Sequence, residues 1–259
     1  MMLRSILIGD SMLLRPGREL EEVIVRHFRE SDQYRTRKGL VHEEEDSEIL
    51  GFIVNRAIPG EIVLEVGGGS GAFLDLILNS TSVRDACNVE LVADTYRNQV
   101  NGSISLVRGT ALSLPFRDGS CDWVIAKNLL HHLVANTRRR SVSNASLALS
   151  EIARVTKCGG YVIIVEQYNR IWICCTALFY LTLLLSKTGF RSRYFGWDTD
   201  ALVSFLTPRE IGTMVRANIG KDERLFSSNC LAVPLRFKLS FLMSCIGRAL
   251  VIVRRDDRE

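Results

Sequence analysis

The stretch EIVLEVGGGSGAF, residues 61–73, closes an apolar, β-branched run with an acidic residue and four glycines. Its spacing is Glu65-x-Gly67-x-Gly69-x-Gly71. Residues without side chains at a strand exit let a ligand lie against the main chain where the next helix begins. Open parallel sheets bind nucleosides and phosphates there. The spacing is tighter than the GxGxxG of dinucleotide enzymes. On these residues alone a second reading stays open, in which the glycines only make a tight strand-to-helix turn.

The elements that must position this turn follow from the rest of the chain. Apolar β-branched runs alternate with amphipathic stretches, the pattern of a parallel sheet covered by helices. After AIPGEIVLEV, strands are expected at DACNVEL, ISLVRG, CDWVIAK and GGYVIIVEQ. The chain has 259 residues, 47% hydrophobic and 24% charged, which suits one large domain with a continuous core. A net charge of +4, spread along the chain, does not by itself imply nucleic acid. Seven cysteines, with no CxxC pair, fit a reducing cytosol and no zinc or redox site. The start has only a brief apolar stretch, interrupted by Asp10, so no secretion is expected.

Residues 1–47 read as a helical segment, with Leu20, Val23, Ile24 and Phe28 at helical spacing. His27 and His42 are expected at its surface. The acidic run EEEDSE, residues 43–48, reads as a solvated helix start rather than a metal site.

With these elements in order, the glycine segment resembles motif I of the class I S-adenosylmethionine-dependent methyltransferases, in the group of the ubiquinone and menaquinone enzymes. The resemblance continues through CNVELVADTYRN, VRGTALSLPFRDGSCDWVIAKNLLHHL and LSEIARVTKCGGYVIIVE, and covers about residues 60 to 166. It implies an α/β fold with a Rossmann-like, seven-stranded, mostly parallel sheet flanked by helices. It also implies S-adenosyl-L-methionine as cofactor. Glu65 would stabilise the methionine amino end or the glycine loop, Gly67, Gly69 and Gly71 would admit the cofactor, and Glu90 would hold the ribose hydroxyls. Thr110 stands where the family often has an Asp that reads adenine, so adenine binding would lean on main-chain groups at Ala111 and Leu112. Lys127 and Asn128 fall at the fourth strand's end, where a family carbonyl meets the ammonium. Cys158 replaces the usual proline before Gly159 and Gly160, glycines expected to close the preceding helix in a left-handed turn.

Beyond residue 166, LTPREIGTMVRANIG reads as a helix with Thr207 as N-cap, Pro208 first, Glu210 completing a capping box and Gly220 as the stop. ERLFSSNCL and RALVIVRR would be strands six and seven. The whole chain thus reads as a single domain, 1–259, with an apolar insertion over 168–205. Within it, residues 171–186 carry no charge. Three readings compete for them, in order: a core or lid helix over the substrate pocket, a helix on a membrane surface, and a span. The apolar stretch at residues 233–253 could converge with it, which favours a small-molecule or lipid acceptor and possible contact with a membrane from the cytoplasmic side.

Methyl transfer from a sulfonium is an in-line displacement governed by positioning, with a base needed for some acceptors. The base candidates are His131, His132, Glu166 and Tyr168. Two alternatives stand beside this reading. One is a non-catalytic, cofactor-binding partner subunit, prompted by Thr110. The other is an RNA methyltransferase, prompted by Arg138, Arg139 and Arg140, although these read as decoration of a solvated helix and AKNLLHHL replaces any Asn-Pro-Pro-Tyr signature.

Overall fold

A computed structural model of the chain describes residues 43–92, 103–188, 202–220, 224–228 and 246–256. The helix expected over Gly17–Glu30, His27, His42 and most of the apolar stretch at 233–253 lie outside them. Helix α1 (Glu43–Val54) leads into β1 (Ile62–Val66), then α2 (Ala72–Ser80), β2 (Asp85–Glu90), β3 (Ile104–Arg108) and β4 (Cys121–Lys127). A 3-10 turn at Leu130–His132 precedes α3 (Arg138–Val155), β5 (Thr156–Asn169), α4 (Trp172–Thr188), α5 (Pro208–Asn218), β6 (Arg224–Ser228) and β7 (Ile246–Arg254).

The strands form one seven-stranded sheet in the order β3-β2-β1-β4-β5-β7-β6. The pairs β1–β2, β1–β4, β2–β3 and β4–β5 are parallel, and only β7 runs against its neighbours β5 and β6. The order reverses direction at β1, with β2 on one side and β4 on the other. This switch point opens the crevice in which such sheets bind ligands. The expected fold class, with its antiparallel edge, is therefore what the chain forms.

Burial on both faces explains why the central strands are so apolar. All five residues of β1 are buried. Leu64, Val66, Val89, Val124, Ala126, Val162 and Ile164 face a core closed by α3 and α5 through Ala148, Leu149, Ile152, Ile211 and Val215. Val63, Ala86, Trp123, Ile125, Ile163 and Val165 face the other core, closed by Ile49, Phe52 and Ile53 of α1 and Phe73, Leu74 and Ile77 of α2.

The helix signals hold at α5. The Thr207 side chain accepts from the Glu210 N–H, and the Glu210 side chain accepts in turn from the Thr207 N–H, completing the capping box. Gly220 follows the last turn with φ 158°, its N–H reaching the Val215 carbonyl.

Three expectations are corrected. The two glycines after Cys158 do not close α3; that helix stops at Val155, where Thr156 is extended and its hydroxyl donates to the Ile152 carbonyl, and Gly159 instead kinks the start of β5 with φ 75°. The arginines at 138–140 do not all decorate a solvated face. Arg138 is buried and clamps Glu210 of α5 through both terminal nitrogens, each at 2.8 Å, while Arg139 and Arg140 are exposed. The acidic run that opens α1 is not wholly solvated either, because Asp46 is buried and pairs with Lys127.

Candidate active site

The glycine turn leaves β1 at the switch point and is strapped to β2. The Gly67 N–H donates to the Val89 carbonyl at 2.7 Å, the Gly68 N–H to Asn88 Oδ1 at 3.1 Å, and the Gly69 N–H to Glu90 Oε2 at 3.1 Å. Asn88 Nδ2 donates back to the Gly69 carbonyl at 2.9 Å. Gly67, Gly69 and Gly71 have φ of 74°, 54° and 75°, left-handed conformations that turn the chain into α2 and that side chains rarely adopt. Gly68 is glycine for another reason. A Cβ there would lie 2.6 Å from Glu65 Oε2 and 2.7 Å from Asn88 Oδ1. The turn is thus laid directly on a carboxylate and an amide.

Glu65, Asn88 and Glu90 project from the same face of β1 and β2, since Glu65 pairs with Asn88 and Glu90 lies two residues further on. Glu65 is only 3% exposed and its Oε2 has no hydrogen-bond partner. Burial pushes its carboxyl up to about 7, against the pull of Lys127 in the other direction. Glu90 also titrates above the usual carboxylate range because of burial, though the N–H groups of Val92, Gly69 and Leu91 favour its ionised form.

Lys127 ends β4 with Nζ paired to Asp46 and placed 3.9 Å from the centroid of the Phe73 ring. Asn128, next to it, is held in the left-handed region, φ 51°, while its N–H donates to the Val165 carbonyl at 2.7 Å. Its Oδ1 is buried without a partner. Left-handed backbone at a non-glycine residue is uncommon, and such strain clusters at functional sites.

On the far side of β2, the Gly109 N–H donates to the Glu90 carbonyl at 3.1 Å. Ala111 and Leu112 are buried, and the Leu112 N–H is engaged by the Thr110 hydroxyl at 3.3 Å. The Thr110 side chain is therefore spent on its own turn, and of the two expected main-chain groups Leu112 N–H is already bonded.

The four base candidates separate by their contacts. Glu166 is fully buried and accepts from three donors: Leu130 N–H at 2.6 Å, Gln167 N–H at 2.9 Å, and His131 Nδ1 at 2.5 Å. His131 stacks on Phe205, with ring centroids 5.2 Å apart, and against His132 at 4.0 Å. The Nδ1 contact to Glu166 fixes the orientation of the ring. Tyr168 is fully buried and bridges to Leu206, so it packs β5 against the segment before α5. His132 is half-buried beside His131. Among the described residues no group of three or more His, Cys, Asp or Glu is placed to hold a metal ion.

A sulfonium nucleoside with an amino-acid tail fits what is present. The bare turn would leave room for its sugar and tail, and the orphaned oxygen of Glu65 would accept from a donor of the kind an ammonium supplies.

Sequence reasoning had not found Asn88, Gly68 or Asp46. A polar residue in the buried, otherwise apolar middle of a strand, between Ala86 and Glu90, is the available signal for Asn88. Nothing local distinguishes Asp46 from its acidic neighbours.

The sheet order and the turn at its switch point define an α/β domain of the doubly wound type. Residues 64–164 match the family model described as a methyltransferase domain. A demethylmenaquinone methyltransferase of Beutenbergia cavernae is 35% identical over 135 residues, covering 50% of this chain and 51% of the relative. The chain spans about half the length of the curated relatives it matches. Among solved structures, geranyl diphosphate C-methyltransferase from Streptomyces coelicolor, in complex with S-adenosyl-L-homocysteine, has a TM-score of 0.62 at 13% identity and covers 93% of this chain and all of its own. The methyltransferase solved with the Trm112 activator of Haloferax volcanii has a TM-score of 0.57 at 14% identity, covering 94% of this chain. The matched stretch, residues 64–164, is thus similar to a methyltransferase domain, and the solved structures share its fold.

Proposed function

We propose that this chain transfers a methyl group from S-adenosylmethionine to a small, lipophilic acceptor. The observation that carries the methyl-transfer reading is the orphaned, buried carboxylate oxygen of Glu65 beneath a side-chain-free turn at the sheet's switch point. When bound, the cofactor supplies an electrophilic methyl on a sulfonium. The chain's own task is to hold that methyl in line with the acceptor and keep water out. Glu65 takes the ammonium, Gly67, Gly69 and Gly71 leave room for the tail and sugar, and Glu90 takes the ribose hydroxyls. Thr110 shapes the adenine side, with Ala111 offering main-chain contact and Leu112 apolar contact.

His131 is the base of this reading. Glu166 accepts from its Nδ1, fixes the ring and favours the tautomer whose Nε2 can receive a proton. Glu166 is thereby a positioning residue, and Tyr168 a packing one.

Helix α4 supports the lipophilic acceptor. Separated from β5 by two residues, it exposes Trp172, Ile173, Tyr180 and Leu184 while burying Cys175, Leu178 and Phe179. No described helix is long and apolar enough to cross a membrane. In this reading helix α4 lies over the acceptor site and offers its outer apolar face to lipid, so that the protein works at a membrane surface as well as in the cytoplasm.

Transfer of tritiated methyl from S-adenosylmethionine into a lipid extract of the source cells tests the function. Label in the organic phase, lost in Glu90→Ala and sharply reduced in His131→Phe, is the expected result. Label appearing only in RNA, or nowhere despite tight cofactor binding, would replace the reading with one of its two alternatives.

A further inference from the structure

The buried pair of Asp46 and Lys127 is unexplained by packing alone. Removing two charges from water costs several kcal/mol each by general experience, and well-packed apolar residues of like volume often fasten a helix as well or better. Yet Lys127 and Asp46 side chains are 8% and 2% exposed at the carboxyl edge of the sheet.

Their position shows what they face. β1 and β4 are parallel neighbours with Glu65 opposite Ile125, so Lys127, two residues beyond Ile125, projects from the same face as Glu65. An ammonium has three donors. Asp46 accepts from Lys127, and the Phe73 ring face lies against the same ammonium. No further acceptor for Lys127 is present among the described residues. Glu65 in turn has one oxygen without a donor. A buried cation and a buried carboxylate, side by side and each with an open bonding position, are the complement of a zwitterion.

We propose that Lys127, anchored by Asp46 of α1, receives the carboxylate of the cofactor's methionine end while Glu65 receives its ammonium. This rests on the cofactor reading above and extends it to a group outside the glycine turn. Charge balance agrees: with Glu65 ionised the three side chains sum to −1, and the arriving ammonium and carboxylate each meet an opposite partner. The pull of Lys127 on the Glu65 carboxyl is consistent with their proximity. The helix α1 then closes the methionine end of the site, which gives the segment before β1 a part in cofactor recognition.

Isothermal titration with four ligands tests the assignment. S-adenosylhomocysteine carries both groups, its decarboxylated analogue only the amine, its deaminated analogue only the carboxylate, and 5′-methylthioadenosine neither. Lys127→Met is expected to weaken the two carboxylate-bearing ligands by roughly ten- to a hundredfold and leave the other two within about twofold, on the usual scale of a charge-assisted hydrogen bond. Glu65→Gln is expected to weaken only the amine-bearing pair. Equal losses for all four ligands, or none, would reduce Lys127 to a fastener of α1 and overturn the proposal. The native protein gives a check that needs no variant: a decarboxylated analogue binding as tightly as S-adenosylhomocysteine also overturns it. If no adenosyl ligand binds the native protein, the underlying cofactor reading fails as well, an outcome distinct from a lost carboxylate preference.

Discussion

Removing the side chain of Asn88 is the sharpest probe of how the glycine turn is held. Asn88 is fully buried and makes two hydrogen bonds to the turn, accepting from Gly68 N–H at 3.1 Å and donating to the Gly69 carbonyl at 2.9 Å. Asn88→Ala deletes both. Gly68 and Gly69 are only half-buried, so water can reach their freed groups, and the net cost is about 1 kcal/mol per bond rather than the larger penalty of a sealed orphan. The sum is about 2 kcal/mol, which in a chain of this size lowers Tm by roughly 4–8 °C. The same loss falls on cofactor affinity, because a turn of glycines freed from β2 must be ordered again on binding. S-adenosylhomocysteine should bind roughly thirtyfold more weakly. Differential scanning calorimetry and titration of one protein preparation read both numbers. A variant with unchanged Tm and unchanged affinity would refute the idea that β2 holds the turn through this amide.

Three further outcomes are expected. Burial raises the Glu65 carboxyl from 4.5 to about 7 in the folded protein, so its contribution to apo stability is fully present below pH 4.5 and declines as pH rises through 7; S-adenosylhomocysteine binding, which needs the ionised form beside an ammonium, should strengthen over the same rise, and titrations in Glu65→Gln should lose that slope. Gly68→Ala would drive a Cβ within 2.6 Å of Glu65 Oε2, and should cost about 1–3 kcal/mol of stability and most cofactor binding, measured by thermal melts and calorimetry. Burial alone would raise Glu210, but Arg138 beside it and the Thr207 N–H hold it below 4.5. The pair's contribution is therefore present above pH 4.5 and lost as pH falls through the lower folded value. Glu210→Gln should cost about 2 kcal/mol at neutral pH in urea melts and flatten the acid limb.

What the sequence disclosed and what it hid divide along sequence separation. The glycine turn, Glu65 and Glu90 are legible because a turn and two strand ends announce themselves within a few residues. The α5 cap is legible for the same reason, with Thr207 and Glu210 three residues apart. Asn88 and Asp46 are hidden because their partners lie 20 and 81 residues away. Charge runs misled in a consistent way. In both RRR and EEEDSE one member turns inward, Arg138 to Glu210 and Asp46 to Lys127, and only the tertiary partner says which. The helix boundary after α3 was missed because the glycines that commonly end helices here serve a kink in the following strand.

The carboxylates toward the ends of β1, β2 and β5 differ in how far their surroundings satisfy them. Glu65, Glu90 and Glu166 are the same chemical group at the same edge of one sheet, and all three are removed from bulk water to a large degree. Glu166 is satisfied by two N–H groups and an imidazole, and can do no more than orient what it holds. Glu90 is braced by three N–H groups, so it is fixed in place. Glu65 alone keeps a buried oxygen without any donor. An unpaired acceptor inside a protein costs about 1–3 kcal/mol, and that cost is recovered only when a donor arrives. Under the proposed function, a cation arriving at Glu65 would gain both its own pairing and the relief of that penalty, so this oxygen would select the charged end of the cofactor.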